Sequence, residues 1–420
     1  MKYFIILVSL IYSSCFSFTF AKTKPEFQFA LGADVSWLTE MEAAGKKFYA
    51  ADGTQMECMA LLKSLGMNSI RLRVWVNPTD SWCNAADLLV KAKRANDLGM
   101  RIMIDFHYSD WWADPGKQNK PAAWTLLSLT DLKTAVANHT REVLNLLKNN
   151  NITPEWVQVG NETSNGMLWD TGKASVSMSN YTALNNAGFD AVKEVFPTAK
   201  VIVHLHNGYD NAMFRWIFDG LKANGGKWDI IGMSLYPSWY KTANDWQNAN
   251  KDCLANMNDM VSRYGKVVMI VECGMSWDNA ATSKLFLTDL IYKTKQVTGG
   301  LGTGILYWEP KCYGNWQGYS LGAFDNGGKP TIALDAFKNT TQLPKTTLNK
   351  LKYNIDRVNK TIVFDKPIKG IDVFDAKGVL IQTSSNKNYI ELNKLSKGVN
   401  IINIRELESN DLITFKYTND

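Results

Sequence analysis

Two glutamates each end a run of apolar residues: Glu162 closes WVQVGNE and Glu272 closes VVMIVE. A carboxyl that leaves a dry strand at its tip is partly desolvated, and desolvation raises the pKa of a proton donor. Such a pair suits hydrolysis of a glycosidic bond, which needs a donor for the leaving oxygen and a second carboxylate on the other side of the sugar. If both line one cleft, a separation of about 5–5.5 Å fits retention through a covalent glycosyl-enzyme, whereas inversion needs roughly 6.5–9.5 Å. A single glutamate at a strand end can equally be half of an ion pair with Lys or Arg. Two of them beside an aromatic-rich mouth favour the chemistry.

Other polar and aromatic side chains fall at corresponding places along the chain. Asp34, Arg71, Arg73, His107, Asn161, His204, His206, Tyr236, Trp308 and Glu309 stand near the ends of apolar runs, where a buried strand would not choose them. Eight runs carry these residues, over 29–36, 69–76, 100–108, 155–162, 200–207, 230–237, 267–274 and 302–309. Each is rich in Val, Ile and Leu, as strands buried on both faces are. Segments of helical periodicity separate them, such as AADLLVKAKRANDLG, closed by a glycine, and LTDLKTAVANHTREVLNLLK, with Thr130 or Asp131 near its N-cap. The alternation predicts an α/β fold, a closed (β/α)8 TIM barrel. In that fold the C-terminal strand ends form the active-site face, which would gather these residues into one cleft. His139, inside a helix, is expected on the surface.

Composition sets the bounds. A chain of 420 residues, 45% hydrophobic, suffices for one large domain and a small one. The net charge of +6 is scattered, with no basic stripe interleaved with aromatics, so nucleic acid is not an expected partner. Fifteen Trp and sixteen Tyr supply flat rings for stacking on sugars, although a large core would use them too. The opening MKYFIILVSLIYSSCFSFTFA reads as a signal peptide over residues 1–21, with Cys15 as an alternative lipid-attachment point and the one route to a membrane. Cys58, Cys83, Cys253, Cys273 and Cys312 form no CxxC and have no His at zinc-ligand spacing, so neither a metal nor another cofactor is expected. Their odd number leaves at least one free thiol. Beyond the large domain, 27–342, the composition changes. Residues 346–420 lack Trp and read as short strands with turns, a small all-β, sandwich-like module.

The stretches GADVSW, GMNSIRLRVWVNP, DFHYSDWWADPGKQNKPAAW, VQVGNE, SLYPSWY, VVMIVECG and ILYWEP together resemble glycoside hydrolase family 53. These are endo-β-1,4-galactanases of the large (β/α)8 glycosidase clan, and the resemblance runs in order over residues 29–340. It implies hydrolysis of internal bonds in β-1,4-galactan, the side chain of pectic type I arabinogalactan; a monomer is expected. It also implies Glu162 as acid/base and Glu272 as nucleophile. Asn161 would meet the sugar 2-hydroxyl, Arg71 and Tyr236 would hold the nucleophile, and His107 and Trp308 would line the subsite of the attacked sugar. Asp34, Asp110, Trp112, His204 and Trp239 are further substrate-binding candidates, with core packing an equal reading for Trp112. A related clan enzyme acting on mannan or glucan, or a non-catalytic glycan-binding surface protein, are the alternatives. Two cysteines depart from the family pattern, Cys273 after the nucleophile and Cys312 in the loop after WEP. Where some members bind calcium after strand seven, MSWDNAATSK offers only Asp278, so no calcium site is expected. The tail segment GIDVFDAKGVLIQTSSNKNYIELNKLSKGVNIINI resembles the C-terminal sorting domains of secreted Bacteroidetes proteins. A plain accessory sandwich is the competing reading.

Overall fold

Each of the eight apolar runs forms a strand: β1 (Ala30–Asp34), β2 (Ser69–Val74), β3 (Arg101–Phe106), β4 (Trp156–Val159), β5 (Lys200–Leu205), β6 (Ile230–Leu235), β7 (Val267–Cys273) and β8 (Gly302–Trp308). The computed structural model describes residues 28–338 and, of the C-terminal part, 353–356, 360–364, 368–375, 380–385, 387–395, 397–406 and 412–419. The leader expected over 1–21 and the module change expected between 342 and 346 lie outside the described residues. All eight strands pair in parallel and close into a barrel of order β1-β8-β7-β6-β5-β4-β3-β2. Every strand stops short of the C-terminal end read from the sequence. The residues beyond the ends turn away sharply: Tyr108, Glu162, Asn207 and Glu309 all take positive φ. Non-glycine residues rarely accept that conformation, and such strain gathers at functional sites.

Helices cover the barrel, among them α1 (Leu38–Ala43), α2 (Cys58–Ser64), α3 (Ala85–Asp97), α4 (Leu129–Lys148), α5 (Met178–Val195), α6 (Asn211–Ala223), α7 (Trp246–Tyr264) and α8 (Ala280–Lys295). Side-chain caps set the starts of α2 to α7. Ser128, two residues before the expected Thr130, accepts from the Asp131 amide to open α4, and Asn84 accepts from the Asp87 amide to open α3. One apolar cluster joins the outward strand faces to the helices. A second, of Ala30, Met103, Trp156, Ile202, Ile230, Met269, Val271 and Leu306, fills the barrel interior beneath the mouth. His139 belongs to the first environment and not to the surface: Phe106, Tyr108 and Trp124 enclose its ring at 5.6, 6.3 and 6.2 Å. Helical phase puts it on the α4 face that packs on the barrel.

The described residues divide into two compact units, one ending at Lys338 and one beyond it. The second holds a three-stranded and a four-stranded antiparallel sheet around Ile362, Phe364, Ile371, Val373, Ile390, Ile402 and Ile404. Among the described residues no helix is long and apolar enough to cross a membrane.

Candidate active site

Strand β7 delivers Glu272 through an irregularity. Met233 of β6 pairs with Ile270, but Ser234 pairs with Glu272, so β7 carries one extra residue there. Met269 and Val271 point into the barrel. Strict alternation would send Glu272 outward to the helices, and the extra residue turns it back beside Ser234. There Glu272 Oε1 lies 2.8 Å from Arg71 Nη2, and Oε2 accepts from the Tyr236 hydroxyl at 3.2 Å.

Arg71 is fully buried, and each of its three guanidinium nitrogens faces an acceptor. Its Nη1 bonds Asp34 Oδ2 at 2.7 Å, Nε bonds Gln158 Oε1 at 2.6 Å, and Nη2 reaches Asp105 Oδ2 at 3.0 Å and Asn161 Oδ1 at 2.9 Å. Burial opposes the charge on Asp34, but Arg71, Arg73 and the hydrogen bonds from Ser36 outweigh it and hold its carboxyl below the usual range. His107 Nε2 lies 3.0 Å from Asp105 Oδ2 while its Nδ1 accepts from Trp75 and the Ala113 amide, and burial lowers the ring below the usual histidine range.

Glu162 follows β4 in a sharp turn. Gly160 has φ +88°, and a Cβ there would stand 2.5 Å from Thr163 Cγ2, so the turn requires glycine. The Thr163 amide then bonds the carbonyl of His204 at 2.8 Å and pins the turn to β5. Glu162 Oε1 accepts from Ser234 Oγ at 2.6 Å, and Ser234 in turn meets His204 Nε2 at 2.8 Å. Burial pushes His204 well below the usual histidine range and Arg71 adds to that, so the ring is neutral.

Oxygens of Glu162 and Glu272 approach within 4.8 Å of each other. Burial lifts both carboxyls above the usual range; at Glu272 the Arg71 cation opposes that lift more strongly than repulsion from Glu162 adds to it. The two titrate as a pair that holds one proton near neutrality. Their partners differ: Glu272 faces the Arg71 cation directly, while Glu162 has only the neutral Ser234 hydroxyl. His204 adds a nitrogen within the same 4.8 Å, a spacing a metal ion could use. Both its ring nitrogens are already engaged, however, by Ser234 on one side and Gln158 on the other.

The family model of glycosyl hydrolase family 53 matches residues 30–337, the whole barrel with this pair in it. The chain belongs to glycosyl hydrolase family 53. Over 303 residues it is 35% identical to a probable arabinogalactan endo-β-1,4-galactanase A of Aspergillus terreus, covering 66% of this chain and 84% of that one. To the arabinogalactan endo-β-1,4-galactanase A of Emericella nidulans it is 34% identical, with 66% and 84% covered. Among solved structures, a fungal β-1,4-galactanase superposes with a TM-score of 0.69 at 28% identity, covering 74% and 99%. The family 53 catalytic domain of Ignisphaera aggregans gives 0.68 at 30% identity, covering 74% and 96%.

In this family 53 barrel the candidates named from sequence separate into layers. Glu162 and Glu272 keep 7% and 6% of their surface exposed, and Asn161, Tyr236 and His107 stand beside them. Trp112 and Trp308 form a partly buried aromatic floor with Trp37, their centroids 5.1–5.9 Å apart. Trp239 is 59% exposed against Tyr236. Three further substrate-binding candidates are held by the protein's own polar groups. Asp34 and His204 are fully buried, against Arg71 and Ser234. Both oxygens of Asp110 accept loop amides, from Asn77 at 3.0 Å and Ala122 at 2.8 Å, so it shapes the loop after β3.

Asp105, Gln158 and Ser234 went unnoticed in the sequence. Asp105 and Ser234 each lie two residues before a flagged residue, His107 and Tyr236, and the period of two would have put them on the same inward face. A deeper group also emerged: Arg73 lies 4.3 Å over the Trp112 ring and bonds Glu309 at 2.8 Å, and Glu309 pairs with the buried Lys311. This buried charge cluster props up the aromatic floor. All five described cysteines are buried and free.

Proposed function

We propose that this protein is a retaining endo-β-1,4-galactanase acting on galactan, including type I arabinogalactan side chains of pectin. One observation carries the reading: two carboxyls within 4.8 Å, of which only Glu272 is paired with a cation. That separation leaves no room for the intervening water of an inverting enzyme. The Arg71 charge and the Tyr236 hydroxyl keep Glu272 ionised as the nucleophile on the anomeric carbon. Glu162 then holds the shared proton, gives it to the departing glycosidic oxygen, and takes one back from the water that releases the glycosyl-enzyme. Asn161 Nδ2 bonds the Ala113 carbonyl at 2.8 Å with one hydrogen and has the other for the sugar 2-hydroxyl. His107, Trp112 and Trp308 line the glycone side, and Trp239 offers its face to the polymer.

The protein works outside the cell as a monomer, exported by the segment 1–21, with lipid attachment at Cys15 as the alternative. The C-terminal module serves either in sorting or as an accessory sandwich. Incubating the protein with potato galactan, mannan and cellulose and counting new reducing ends tests the substrate. Galactan alone is expected to be cut. Release from only mannan or cellulose removes the galactanase reading, and no release from any removes the enzyme.

A further inference from the structure

Hydrogen bonds around Glu162 have a direction that can be worked out atom by atom. His204 Nδ1 receives two N–H donors, the Gln158 side-chain amide at 2.9 Å and the Glu162 backbone amide at 3.3 Å. A nitrogen that accepts both cannot carry a proton. Gln158 can only donate here, because its Oε1 accepts from Arg71 Nε and its other amide hydrogen goes to Asp105 Oδ1, so the 3.0 Å approach of Asn161 Oδ1, which itself accepts from Arg71, carries no proton from Nδ1. The ring is neutral, so its single proton sits on Nε2 and points at Ser234 Oγ, 2.8 Å away. Ser234 Oγ therefore accepts from His204, and its one hydrogen goes to Glu162 Oε1 at 2.6 Å. An oxygen that already receives a short hydrogen bond is a poor seat for a proton, and Glu162 Oε2 has no protein donor among the described residues.

We infer that Ser234 is a positioning residue for proton delivery: the Gln158–His204–Ser234 chain fixes the Ser234 hydroxyl as a donor to Glu162 Oε1 and thereby puts the transferable proton of Glu162 on Oε2. The chain needs no titration of its own, because His204 stays neutral throughout. As the proton leaves Oε2, the carboxylate charge that develops is met by a hydrogen bond already aimed at Oε1. Every member sits on a different strand, Gln158 on β4, His204 on β5 and Ser234 on β6. The barrel itself holds the chain rigid. The inference rests on Glu162 being the acid of the proposed function.

Two measurements test it. The chain has four histidines, so long-range proton–nitrogen spectra can assign the tautomer of each. His204 is expected as the neutral Nε2–H form in the wild-type protein, and an Nδ1–H form reverses the chain and overturns the inference whatever any variant does. The second uses Ser234→Ala on aryl β-galactosides. With a phenol leaving group, which needs protonation, kcat/KM is expected to fall about tenfold or more, and with dinitrophenol to stay within about twofold. The alkaline limb of the profile moves to higher pH, because the lost bond favoured the Glu162 anion. The charged groups facing Glu162 from other elements, Arg71 on β2, Asp105 on β3, Asp114 after it and Glu272 on β7, are unchanged in the variant. Ser234→Thr, which keeps the hydroxyl, restores both. Equal losses on the two substrates with an unmoved limb overturn the inference. Glu162→Ala is the control: if it shows no dependence on leaving group, the acid role of Glu162 fails, and the tautomer alone still decides the direction of the chain.

Discussion

Arg71 Nη2 stands 2.8 Å from Glu272 Oε1, and the same guanidinium also binds Asp34 and Asp105 at 2.7 and 3.0 Å. One cation is thus shared by three carboxylates in a water-poor barrel mouth. Breaking a buried pair from the cationic side leaves uncompensated charge, at a cost of about 3–5 kcal/mol. Arg71→Met is therefore expected to lose activity and to melt well below the wild type. Arg71→Lys does not rescue it, because an ammonium cannot reproduce a fork that meets five acceptors. Thermal melts with a galactan assay check this, and an active, stable Arg71→Lys protein would falsify the shared-cation account.

Stability should carry the signature of the buried pair. Burial lifts Glu162 from its ordinary 4.5 to about 7. The folded state then binds that proton more tightly than the unfolded one. Its contribution is complete below about pH 4.5 and is lost as pH rises through 7. Glu162→Gln escapes that loss, so it should outlast the wild type at pH 8 by about 1–3 kcal/mol and match it near pH 4.5. Melts of both proteins at the two pH values measure the difference. A gap that does not grow with pH contradicts the buried-acid description.

Much of this was legible in the chain, for reasons that particular residues make plain. The strands announced themselves because parallel strands are apolar on both faces, as in IIGMSL and VVMIVE. Their ends did not, because Tyr108, Glu162 and Glu309 leave the sheet through positive φ, which residue type does not advertise. Glu272 was found by its position, yet simple alternation points it the wrong way, and only the extra residue in β7 explains its aim. Asp34 and His204 were recognised as part of the mouth, but depth below its surface is a three-dimensional property. His139 looked like a polar helix residue, and its phase against the Phe106 and Tyr108 pair decided otherwise.

Trp239 offers a test on the polymer side. It is 59% exposed and leans on Tyr236 at 4.7 Å, so little of the fold depends on it. Trp239→Ala should raise KM for galactan about three- to tenfold, the scale of one stacking contact at ~0.5–1.5 kcal/mol, with kcat nearly constant. Stability should move by no more than about 0.5 kcal/mol. An unchanged KM would remove Trp239 from the substrate path.

No step of the proposed reaction uses a metal, and the loop after β7 has Asp278 as its only acid, already bonded to Ser276 at 2.7 Å. Prolonged dialysis against EDTA is expected to leave rate and melting temperature where they were. A fall in either that calcium reverses would reveal a cation site and correct this expectation.

The central claim is that Glu272 attacks the sugar while Glu162 manages the proton. An activated 2-deoxy-2-fluoro galactobioside followed by peptide mass spectrometry tests it most directly, since the fluorine slows release of the glycosyl-enzyme. One adduct per chain on the Glu272 peptide is predicted. An adduct on Glu162, or no adduct together with release of product of inverted anomeric configuration, would contradict it.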